Sequence, residues 1–74
     1  MGVIPERKDY KNVSPETCRK FVNSVEQNKI CEKVSHVAPS DKSHFDRYGF
    51  ASGNKRVSIV YDVKARMLSV TAFD

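Results

Sequence analysis

The chain has 74 residues, of which 13 are basic and nine acidic, for a formal net charge of +4. A chain this short supports one hydrophobic core and hides only about 60% of its unfolded surface, which disfavours a deep, enclosed active site. No apolar run approaches the ~20 residues of a membrane span, and Met1–Tyr10 is charged where a secretory signal would be apolar, so the expected address is the cytoplasm.

Residues 1–12 are polar, interrupted by Gly2 and Pro5, and show no periodicity. They read as a flexible tail ahead of a single α+β domain over residues 13–74. Arg7, Lys8 and Lys11 stand beside Glu6 and Asp9, so this segment is barely cationic.

A helix signal follows. The Ser14 hydroxyl can accept from free first-turn amides, and Pro15 suits the first helical position, where its missing N–H costs nothing. Glu16 sits at the positive end of the helix dipole. Cys18, Phe21, Val22 and Val25 recur at i, i+3, i+4 and i+7 and form one apolar stripe. Val13 and Cys18 occupy the two positions of a hydrophobic staple. Asn28 is placed to close the helix in a left-handed conformation. Ile30–Ala38 then carries Ile30, Val34 and Val37 among polar residues, without clean alternation, and reads as an edge strand. Pro39–Ser43 is a loop by its cluster of Pro, Ser, Asp and Lys.

The remaining residues predict a three-strand meander. Gly53-Asn54 makes a two-residue hairpin turn, which sets Phe50 opposite Val57 and Tyr48 opposite Ile59. A four-residue loop, Val63–Arg66, pairs Tyr61 with Leu68, Ile59 with Val70 and Val57 with Ala72. A three-residue loop would set Ile59 against Thr71 and move a whole face from core to water. The inner face of this sheet is Tyr48, Phe50, Val57, Ile59, Tyr61, Leu68, Val70 and Ala72. The outer face is Arg47, Gly49, Ala51, Arg56, Ser58, Val60, Asp62, Met67, Ser69 and Thr71. The expected fold is therefore α+β, one N-terminal helix packed on a three- to four-stranded antiparallel meander sheet.

Candidate chemistry is sparse. Cys18, Cys31, His36 and His44 lack the paired short spacings of zinc sites, so no metal or other cofactor is expected, and two cysteines suggest reduced thiols. His36, Asp41, His44 and Asp46 form a polar cluster in sequence from which a His–Asp acid–base pair could be drawn. No nucleophile motif and no glycine-rich phosphate loop accompanies it, so no catalytic residue is assigned and the chain is read as a non-enzyme. The open sheet face is the stronger candidate. Arg47 and Arg56 lie on it, and Lys55, Lys64 and Arg66 extend it at the turns, a set suited to phosphate contacts. Phe45 and Phe73 are the aromatics that could point outward, too few for a base-stacking platform.

The stretch KRVSIVYDVKARMLSVTAFD, Lys55 to Asp74, resembles the central hairpin of TATA-binding-protein-like repeats, as in ribonuclease LS toxins and the N-terminal domains of ribonuclease HIII. The preceding helix and strands extend the resemblance over Ser14 to Asp74. Ala65 stands where those repeats carry a turn glycine, and Ala72 replaces the glycine after Thr71. The resemblance implies a nucleic-acid- or protein-binding module with the sheet as contact surface. Two expectations follow. The first is a non-catalytic module that contacts nucleic acid through Arg47, Lys55, Arg56, Lys64 and Arg66. The second is a protein-interaction domain or homodimer that uses the sheet face or the Ile30–Ala38 edge.

Overall fold

The computed structural model describes residues 6–29 and 31–73. Positions 1–5 of the expected tail and Ile30 of the expected edge strand lie outside the described residues. The elements run β1 (Glu6–Tyr10), α1 (Pro15–Glu26), β2 (Glu32–Val37), β3 (Phe45–Ser52), β4 (Lys55–Asp62) and β5 (Met67–Phe73). They form one five-stranded sheet in the order β1-β5-β4-β3-β2, with every neighbouring pair antiparallel. The α+β class holds, but the sheet has five strands rather than three or four. The extra strand is β1. Residues 6–10, read from sequence as part of a tail, pair with β5 from Glu6↔Ala72 to Tyr10↔Leu68. All five β1 residues are exposed, so burial left no trace in their pattern.

The central hairpins form as the alternation requires. Phe50 pairs with Val57 and Tyr48 with Ile59. Tyr61 pairs with Leu68, Ile59 with Val70 and Val57 with Ala72. Gly53 opens the first turn at φ 60, where a residue without Cβ meets no steric cost. Four residues close the second loop. The Asp62 carboxylate accepts from the amides of Lys64 and Ala65, both at 3.0 Å, and Arg66 completes the loop at φ 56.

Helix α1 begins as its sequence dictates. Ser14 caps it, accepting from the Thr17 amide at 3.1 Å, and Pro15 follows. Its end differs from expectation. Gln27 caps α1 in right-handed geometry, its amide bonded to the Asn23 carbonyl. Among the described non-glycine residues, positive φ falls instead at Asn12 and Arg66. The Asn28 amide reaches the Val25 carbonyl at 3.1 Å, which tightens the last turn without a left-handed residue.

The apolar stripe of α1 lies on one face of the sheet. Val13, Cys18, Val22, Phe50, Ile59, Tyr61 and Leu68 are buried together, with Phe21, Val25, Tyr48, Val57 and Val70 packed around them. Both residues of the staple, Val13 and Cys18, are in that core. Val13 is pinned at both backbone groups. Its amide donates to the Arg66 carbonyl at 2.9 Å, and its carbonyl accepts from the Tyr61 hydroxyl at 2.6 Å. These bonds fix where the chain leaves β1 and enters α1, and so set the helix over the middle strands.

Candidate binding face

The face opposite α1 carries no described element. Cross-strand register places its side chains in rows. One row reads Met67, Asp62, Phe45, and the next reads Asp9, Ser69, Val60, Arg47, Val37. A third reads Arg7, Thr71, Ser58, Gly49, Ser35, and the last reads Phe73, Arg56, Ala51, Glu32. The centre is small and hydroxyl-rich. One end is apolar, where Phe45, Val60 and Met67 border a shallow depression of about 280 Å3 with Arg7, Ser69 and Thr71. Val34 and Val37, on edge strand β2, are 59% and 61% exposed.

Strand β2 reaches this face through an irregularity. Register shifts between Lys33 and Ser35, so Val34 and Ser35 both stand against Gly49. A Cβ at position 49 would lie 2.4 Å from the Ser35 hydroxyl oxygen and 3.5 Å from a Val34 methyl. Glycine at position 49 lets the bulged strand close onto β3.

The five basic residues expected to bind together do not form one patch. Arg47 points from β3 on the open face, its guanidinium 5.5 Å from the centre of the Phe45 ring. Arg56 is on the same face, but its guanidinium donates to the Gly53 and Lys55 carbonyls at 3.2 and 3.0 Å. Lys55 sits at the β3–β4 turn, whereas Lys64 and Arg66 occupy the β4–β5 loop at the far end of β4. At ~3.3 Å per residue, the length of β4 puts these two ends about 25 Å apart. The open face also holds acidic groups. Arg7 pairs with Asp9 at 3.1 Å. Asp62 lies 3.4 Å from His44 and is held below the usual carboxylate range, first by the Ala65 amide. Phe45 and Phe73 do belong to this face, the former opposite Asp62 and the latter opposite Arg56.

The His–Asp pair sketched from sequence divides in two. His44 joins Asp62, as above, and His36 joins Asp46, while Asp41 takes part in neither pair. The second pair lies on the helix side of the sheet. The Asp46 carboxylate faces His36 Nε2 at 2.7 Å with one oxygen and accepts the Tyr48 hydroxyl at 2.7 Å with the other. The His36 and Tyr48 rings stack, 4.2 Å apart and 7° from parallel. The Tyr48 hydroxyl is pushed well up by burial and by its bond to Asp46. Cys18 lines the same shallow hollow as Asp46 and Tyr48, and burial pushes its thiol up, away from a reactive thiolate. Sequence reasoning found His36 and Asp46 but not Tyr48, because the pairing of His36 with Tyr48 depends on the β2–β3 register. Among the described residues, no three His, Cys, Asp or Glu side chains gather to hold a metal ion. Among the same residues no helix is long and apolar enough to cross a membrane.

Comparison of the chain with protein-family models, with curated proteins and with solved structures found no match. What the fold itself defines is a small α+β protein with one sheet face under a helix and the other open.

Proposed function

We propose that the protein is a non-catalytic interaction module that docks another protein on the open sheet face, at the end formed by Phe45, Val60, Met67 and the neighbouring Val37. One observation carries this reading. That end gathers the apolar side chains of Phe45, Val60 and Met67 around a depression, with exposed Val37 across Arg47 from Val60, on a face that no described element covers. Exposed apolar groups gathered in one place are characteristic of docking surfaces, whereas scattered ones are ordinary. The charges around the patch are of both signs, Arg7, Arg47 and Arg56 against Asp9, Asp62 and Glu32, which suits a polar rim. The likeness of Lys55–Asp74 to TATA-binding-protein-like repeats implies a binding module of this kind, with the sheet as contact surface.

A second reading, nucleic-acid binding, draws on Arg7, Arg47 and Arg56 sharing the open face with Ser58, Ser69 and Thr71. Phosphate contacts release counterions, so this reading demands an affinity that falls steeply with salt. A photo-crosslinking residue at Val37, with a control at Lys20 on the exposed side of α1, tests the first reading in cells. A protein adduct formed at position 37 and absent at position 20 supports it. Equal adducts at both, or none at 37, overturn it. An oligonucleotide titration that moves the Arg47 and Arg56 amides at low salt, and fades as salt rises, would put the second reading in its place.

A further inference from the structure

We propose that His36, Asp46 and Tyr48 form a protonation-sensitive clamp that seats the edge strand β2 against the sheet. Strand β2 has little else to hold its side chains. All six of its residues are exposed, and none belongs to the core cluster. Among the described residues, its side chains meet charged partners at two places, Lys33 to Glu26 of α1 at 3.1 Å and His36 to Asp46. The first pair is exposed at both partners, and such pairs contribute little. The second differs in kind. Asp46 is half-sheltered, its two oxygens are divided between Tyr48 and His36, and the imidazole lies flat on the Tyr48 ring. Backbone bonds to β3 pass through a bulge at Lys33/Ser35, which leaves part of that ladder irregular.

The groups facing the clamp are Tyr48 from β3, Cys18 and Arg19 from α1, and Tyr61 from β4. The two tyrosine hydroxyls and the Cys18 thiol are all shifted upward by burial, so they remain neutral donors at neutral pH. Arginine keeps its charge throughout. Histidine is the side chain whose charge ordinarily changes between pH 5 and 8. A neutral imidazole can already donate to the Asp46 carboxylate through Nε2, and the imidazolium adds the attraction of opposite charges to that bond. Protonation of His36 therefore tightens β2 onto β3, and its loss loosens the edge. The consequence for docking at Val37 rests on the interaction reading above. The clamp itself is tested on the free chain, so failure of one leaves the other standing.

The test is residue-resolved amide exchange of the whole 74-residue chain between pH 5.5 and 8, corrected for the intrinsic exchange rate, with the ring resonances of both histidines followed in parallel. Protection of the β2–β3 amides, relative to the β4–β5 amides, is expected to fall about two- to fivefold as pH rises from 5.5 to 8. His36→Phe keeps a ring on Tyr48 and cannot charge, so its relative protection should not change with pH. Asp46→Asn should behave likewise, and His44→Gln should retain the dependence of the unmodified chain. A flat ratio while His36 titrates overturns the proposal, as does a dependence that survives His36→Phe or disappears with His44→Gln. Should His36→Phe detach β2 at every pH, Asp46→Asn carries the same expectation, and a pH-dependent ratio in that variant refutes the clamp.

Discussion

Replacing Tyr61 by Phe removes a single oxygen from the middle of the structure. The ring remains, 2% exposed, in the same core position. What disappears is the donor to the Val13 carbonyl, a bond of 2.6 Å that joins β4 to the residue before the helix cap. Val13 is 8% exposed, so little water can take the place of that donor. A buried polar group left without its partner costs about 1–3 kcal/mol. Val13 keeps a little exposure, which argues for the lower half of that range, about 1.5 kcal/mol. In a domain of this size each kcal/mol moves Tm by about 4–8 °C, so Tyr61→Phe should melt about 6–12 °C lower. With an m value of about 1 kcal/mol/M, the urea midpoint should fall by about 1.5 M. Tyr10→Phe is the control, because Tyr10 is 46% exposed on edge strand β1, and a surface change of that kind should stay within about 0.5 kcal/mol. Equal midpoints for Tyr61→Phe and the unmodified protein would refute the assignment of this bond as the anchor of the helix entry.

Alkaline titration gives an independent check, with a definite sign. Burial raises the Tyr61 and Tyr48 hydroxyls above the ordinary tyrosine value of 10.0. The unfolded chain therefore loses these protons first. Stability is full below pH 10 and declines as pH rises past it, and the decline in urea midpoint should be shallower in Tyr61→Phe. At Gly49, substitution by Ala should destabilise by about 1 kcal/mol, because the new methyl meets the Ser35 hydroxyl oxygen 2.4 Å away. In a Ser35→Ala background that clash is gone, so Gly49→Ala should become neutral or stabilising, and an additive double-mutant cycle would show that β2 does not pack as described. Arg66→Gly relieves a non-glycine residue held at φ 56; the expected gain is up to about 1 kcal/mol, whereas Arg66→Val should lower Tm, as calorimetry of the pair would show.

The sequence by itself determined the middle of this protein. Ser14 and Pro15 start the helix because a cap and a missing N–H are local chemistry. Cys18, Phe21, Val22 and Val25 define its buried stripe because helical period and burial coincide. Register in β3, β4 and β5 follows because each strand buries alternate residues, and a slip of one would put Ile59, Tyr61 and Leu68 in water. The Gly53 turn is legible from local chemistry, and the length of the Val63–Arg66 loop follows from that register, whereas the Asp62 bonds that close it come from the structure.

Only the tertiary structure decided the edges. Glu6-Arg7-Lys8-Asp9-Tyr10 has no alternation to read and four charged residues of low strand preference. It is a strand because β5 offers an unpaired ladder some 60 positions later in the chain, and backbone hydrogen bonds do not depend on side-chain pattern. The same charges that hid β1 guard an exposed edge against unwanted pairing. Strand β2 was visible only as a faint run around Val34 and Val37, because none of its side chains enters the core. The candidate sites depend on these edges. Which basic residues share a face follows from alternation, but their separation at opposite ends of β4, and the meeting of His36 with Asp46 and Tyr48, are set by strand order and by the β2–β3 register. A pattern in sequence records burial, and what lies at a sheet's margin is held mainly by backbone pairing, which leaves no such record.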